Sequence, residues 1–151
     1  MATNSRAAQA SPRRAARELV LQGMYERQVA GNAASDVYGD LAASPAFARA
    51  DQVYFEELWK GVVAENDNLL VQLTPLLSRK PEELSPIERS ILVMGAWELV
   101  HRLEIPYKSV IDEAIELAKT FGATDGHRFV NGVLDKLAAS VRAAEIAALA
   151  R

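Results

Sequence analysis

The sequence predicts an all-α protein, and three observations carry that expectation. No segment alternates polar and apolar residues with period two, so no strand is assigned. Ser11-Pro12 and Ser85-Pro86 each stand where a helix takes its N-cap and its first-turn proline. Apolar residues also return at spacings of three and four through most of the chain. The 151 residues, half of them hydrophobic and a quarter charged, suit one globular domain with a real core.

The most apolar stretch is Ser85 to Leu103. It opens as a capping box, Ser85-Pro86-Ile87-Glu88, and then places apolar side chains on almost every side of the helix axis. Such a helix is covered by others or spans a membrane. Glu88, Arg89, Glu98 and His101 interrupt the run, so it is read as the central helix of a helical domain.

The chain before it is read in order. Residues 1–11 are small and polar and are expected to be a disordered tail. A first helix should run from Pro12 to about Val29 and stop at Gly31-Asn32, burying Ala16, Leu19, Val20, Gly23 and Met24. Gly23 in mid-helix points to close packing of a neighbour or to an exposed site. Asp36 to Ala43 is a short helix, and Asp51 begins a longer one that Asn66-Asp67-Asn68 could split and Pro75 ends. Residues 78–84 read as a linker.

After Pro106, Ser109 is expected to cap a helix with Asp112 three residues on, burying Val110, Ala114, Leu117, Ala118 and Phe121 and closing at Gly122. Thr124 or Asp125 should cap the next, with Phe129, Val130, Val133, Leu134 and Leu137 inward or half inward. Residues 140–151 form an alanine-rich C-terminal tail that extends that helix or frays.

Charge is unevenly placed. Residues 1–17 hold Arg6, Arg13, Arg14 and Arg17 and no acid, a charge of +4; with a net −3, the rest carries −7. Arg13 and Arg14 fall in the first helical turn, where the helix dipole prefers anions. A phosphate would reverse that sign. Arg14, Arg17, Leu21 and Tyr25 make a stripe of cations and a ring, a surface for single-stranded nucleic acid or simply a solvated helix start.

Several chemistries are set aside. There is no cysteine, so disulfides, thiol catalysis and Cys-ligated zinc are excluded. Glu98-x-x-His101 has the spacing of di-iron bundles, but the second motif fails because Thr124 precedes His127, so no metal is expected. Asp112, Glu113 and Glu116 are explained by capping; with no nucleophile, phosphate loop or dinucleotide fingerprint, neither catalysis nor a cofactor is expected. A helix-turn-helix over residues 109–137 would carry only His127, Arg128 and Lys136 on its recognition helix, thin for reading a major groove. Without a signal-like apolar N-terminal stretch, the expected location is cytoplasmic.

Specific runs then come together. Arg13-Arg14-Ala15-Ala16-Arg17-Glu18, with Gln22 and Tyr25, and Tyr54-Phe55 ahead of Gly61-Val62, resemble the NusB family. So do Pro106-Tyr107-Lys108 through Asp112-Glu113-Ala114-Ile115-Glu116-Leu117-Ala118-Lys119 to Phe121-Gly122, and Arg128-Phe129-Val130-Asn131-Gly132-Val133-Leu134-Asp135. The resemblance spans about residues 12–138, and the domain is drawn at 12–139.

It implies a single helical RNA-binding domain of about seven helices and a transcription antitermination factor. Such proteins bind boxA elements of nascent RNA together with NusE, a ribosomal small-subunit protein. The pair helps RNA polymerase resist termination, notably on rRNA operons. Carried over by position, the RNA contacts would be Arg13, Arg14, Arg17, Tyr25, Asp125, Arg128 and Phe129, and the NusE-facing acids Glu82 and Glu88. Ala15 interrupts the family's denser basic run, shifting weight to Arg6, and Gly126 and Arg128 stand where serine and lysine are usual. A homodimer is left open, and the alternative is a helical protein–protein adaptor that binds no RNA.

Overall fold

The computed structural model of the chain describes residues 11–151. The expected tail and Arg6 therefore lie outside the described residues, apart from Ser11. Among the described residues there are seven α-helices and no strand. They are α1 (Pro12–Ala30), α2 (Ala34–Ala42), α3 (Gln52–Leu73), α4 (Pro86–His101), α5 (Tyr107–Phe121), α6 (Gly126–Val141) and α7 (Ala143–Leu149). Short 3-10 turns lie at Pro45–Arg49, Thr74–Leu76 and Pro81–Glu83, the last inside the expected linker. The chain divides into two compact units at Lys60 and Gly61, and α3 contributes residues to both.

In the first unit, α1 packs on α2 and on the Pro45–Arg49 turn. Ser11 Oγ accepts from Arg14 N at 3.0 Å, and Gly31 closes α1 in the left-handed region at φ 71°, both as the sequence predicts. Gly23 is a close-packing site: a Cβ there would lie 2.6 Å from the Trp59 ring and 2.7 Å from Leu41. Asp51 caps α3, its Oδ1 accepting from Tyr54 N at 3.0 Å. Phe55, fully buried, meets Phe47 edge-on with centroids 5.4 Å apart. The Tyr38 hydroxyl donates to the Glu56 carboxylate, which pushes the phenol above its ordinary value.

In the second unit, α4, α5 and α6 pack pairwise. From Ser90 to Leu99 every residue of α4 is buried, as its all-round apolar sequence requires. α4 ends at His101, two residues before the expected end, and leaves Leu103 exposed. Close approach to α3 is made by Gly61, where a Cβ would fall 2.1 Å from Trp97 Nε1.

Three expectations are corrected here. α3 is not split at Asn66-Asp67-Asn68, because Leu69 and Leu73 hold the buried face while Asp67 and Asn68 stay outside. Polar residues in a helix interior cost only tenths of a kcal/mol each, and packing overrides that. α5 starts at Tyr107 and not after Ser109, so Asp112, Glu113 and Glu116 lie beyond its first turn. Its cap is remote: Glu145 Oε2 accepts from Tyr107 N at 2.9 Å. Phe121 is exposed, since α5 turns its last residue outward before Gly122, which is extended and not left-handed.

The segment after Ser140 has a structural task. Arg142 is buried and donates to four main-chain carbonyls: Leu99 at 2.7 Å, Ile105 and Arg102 at 2.8 Å, and Glu98 at 3.3 Å. Leu99 O is an orphan carbonyl at the C-terminus of α4, where a cation also complements the helix dipole, while Glu98 O and Arg102 O each accept a main-chain amide as well. Glu145 bonds Arg142 Nη1 at 2.5 Å and caps α5 with its other oxygen. The Tyr107 amide, helped by Arg142, holds the Glu145 carboxyl below its usual range. One Arg-x-x-Glu turn thus closes the end of one helix and the start of the next.

Candidate nucleic-acid interface

In the first unit, the candidate residues gather at the start of α1. Arg13 is half exposed; its Nη2 lies 3.8 Å from Asp51 Oδ2, and its guanidinium carbon 4.3 Å above the Tyr54 ring. Pro12 O accepts from Asp51 N at 2.8 Å, which ties this end of α1 to the start of α3. Arg14 is partly exposed, and Tyr25, about three helical turns on and on the same side, is 40% exposed. Arg17 is different. It is buried at 5% exposure, its guanidinium 5.4 Å from Tyr54, and Leu21 beyond it is buried too. The expected stripe is therefore not one solvent-facing row: Arg13, Arg14 and Tyr25 are accessible, and Arg17 is a packing residue.

In the second unit, taken by itself, the candidate residues gather at the start of α6. Asp125 holds the N-cap position with φ 66°, a left-handed conformation that Asp tolerates better than most residues, and its side chain makes no cap bond. Its carboxylate lies 3.9 Å from Arg128 Nε, and both side chains are largely exposed. A pair so open to water contributes little to stability. Phe129 is half buried, and Arg79 sits 4.0 Å over its ring.

Of the two acids, Glu82 is exposed. Glu88 is not the surface acid expected: it is 7% exposed, 3.7 Å from Arg79 Nη1, and a Cβ on Gly126 would meet its Oε2 at 3.0 Å.

Glu98-x-x-His101 resolves as structure. Glu98 is buried, and His101 Nε2 lies 2.8 Å from Glu65 Oε1. Among the described residues no group of three His, Cys, Asp or Glu side chains could hold a metal, and no helix is long and apolar enough to cross a membrane.

Sequence reasoning missed Asp51 and Tyr54 as partners of the arginines, and Arg79 as the cover of Phe129. Tyr54 entered only through the Tyr54-Phe55 pair of the family resemblance, and Arg79 fell in the expected linker. Neither position carries a local signal for a contact made across the fold.

These features define an all-helical protein whose distinctive surface chemistry is arginine laid over aromatic rings. The NusB family model matches residues 14–139. The transcription antitermination protein NusB of Cupriavidus pinatubonensis is 49% identical over 146 residues, 97% of this chain and 87% of that one. Its namesake from Ralstonia nicotianae is 51% identical over 138 residues, 91% of this chain and 89% of that one. The solved structure of T. maritima NusB superposes with a TM-score of 0.76 at 24% identity, over 87% of this chain and 93% of its own, which bears on the fold alone. The chain belongs to the NusB family.

Proposed function

We propose that this chain is a transcription antitermination factor that binds boxA-type sites in nascent RNA together with NusE. The observation that carries the reading is identity near 50%, over about nine-tenths of the chain, to proteins named for transcription antitermination; boxA and NusE are what the family resemblance adds. The accessible cations supply the chemistry. Arg13 and Arg14 would meet phosphates, Tyr25 a base or sugar, and Arg128 further backbone, with Asp125 and Phe129 beside it. Glu82 is the acid left to face a basic partner. RNA polymerase resisting termination, on rRNA operons among others, is the expected outcome, and the cytoplasm the expected place.

A partner follows from charge. Each phosphate neutralised on a single strand adds about 0.7 to the log–log salt slope, so Arg13 and Arg14 give about 1.4. That is modest against a chain whose residues beyond 17 carry −7. A basic protein docked on the acidic surface offsets the repulsion. The test is a filter-binding titration of boxA RNA at matched salt: the mixture with NusE binds much more tightly than the chain alone, and equal affinities contradict the reading.

One observation favours a second reading, a helical adaptor that binds no RNA. Arg13 and Arg17 already have internal company in Asp51 and Tyr54. Arg13→Ala with Arg14→Ala discriminates. An adaptor keeps its partner and has no RNA affinity to lose, whereas the antitermination factor loses boxA binding with its helical circular dichroism unchanged.

A further inference from the structure

We propose that Tyr54 is a positioning residue for phosphate contact: its buried ring sets the Arg13 guanidinium in place before RNA arrives. The assignment rests on the RNA-binding reading above. Tyr54 is 3% exposed, and its amide is fixed to Asp51 Oδ1 at 3.0 Å, so the ring is an immobile platform. Arg13 lies 4.3 Å and Arg17 5.4 Å from that ring, two cations on one quadrupole.

The geometry matters because of what it leaves unspent. A guanidinium stacks through its face, while its N–H donors point outward in its plane. Asp51 lies 3.8 Å from Arg13 Nη2, beyond hydrogen-bond distance, so it attracts the group without taking a donor. Neither contact uses the fork that a phosphate needs. Arg142 is the contrast: it spends its donors on four carbonyls and serves structure only. An arginine held over a buried ring has lost much of its side-chain freedom in advance, and a phosphate then binds with less of that entropic cost.

The experiment is boxA RNA binding by the full chain with NusE at fixed salt, with thermal melts alongside. Tyr54→Phe keeps the ring and binds as wild type. Tyr54→Leu keeps an apolar side chain without the quadrupole and binds about fivefold more weakly. Arg13→Lys keeps the charge and the fold but cannot stack as a plane, and also loses about fivefold. In an Arg13→Ala background, Tyr54→Leu has no further effect on affinity.

The assignment is overturned if Arg13→Lys binds as wild type, or if Tyr54→Leu melts lower yet binds unchanged. It is overturned equally if Tyr54→Leu weakens binding as much without Arg13 as with it. Wild-type protein that ignores the RNA, or an Arg13→Ala variant that binds it fully, overturns the RNA-binding reading itself and this assignment with it.

Discussion

Gly23 sets two effects of opposite sign against each other. Alanine there gains about 1 kcal/mol of helix propensity. Its Cβ would also lie under 3 Å from Trp59 and Leu41, and overpacking of that kind costs about 1–3 kcal/mol. The clash is with a buried indole, so Gly23→Ala is expected to lower the melting temperature by a few degrees; a higher one would show that the ring yields. Phe129 is half buried beneath Arg79, with one ring face already taken. Phe129→Ala should cost less than the about 3–5 kcal/mol of a fully buried ring and should weaken RNA binding. A large fall in melting temperature with RNA affinity intact would make it a core residue.

The Glu145 carboxyl has a pH signature. Its folded-state value is held below the ordinary 4.5, chiefly by the Tyr107 amide. A depressed carboxyl contributes stability that is present above pH 4.5 and lost as pH falls through the folded value. Wild type should therefore exceed Glu145→Gln in stability near neutral pH, and the gap should narrow below pH 4.5 in denaturant titrations. A constant gap would mean that shape, not charge, does the work.

At the scale of elements, helix ends decide what could be read in advance. The starts of α1 and α4 were legible because Ser11 and Ser85 cap through their own side chains, at 3.0 Å and 3.1 Å. The stop at Gly31 was legible because a left-handed residue prefers glycine. The start of α5 was not, because its cap comes from Glu145, 38 residues away. No local pattern records a bond closed across that loop. The same holds for the interface: Arg13, Arg14 and Arg128 could be found as cations, but the burial of Arg17 and Glu88 follows from neighbours that only the folded chain supplies. The C-terminal segment reads as an alanine-rich tail that extends the helix before it or frays, until Arg142 is seen at the C-terminal end of α4. Arg142→Met is expected to cost about 1–3 kcal/mol, since it leaves the buried Leu99 and Ile105 carbonyls without this donor. A chemical-denaturation midpoint unchanged from wild type would contradict the clamp.

For the whole molecule, the central fact is charge of one sign gathered at the chain's beginning and the other sign spread over the rest. The proposed function turns that asymmetry to use, with arginines for a polynucleotide and acids for a basic protein. The most direct test is the salt dependence of boxA RNA affinity, measured with NusE for wild type and for Arg13→Gln/Arg14→Gln. Loss of two phosphate contacts should lower the log–log slope by about 1.4, with the helical circular dichroism retained. A slope identical in the two proteins would place the RNA backbone somewhere other than the start of α1.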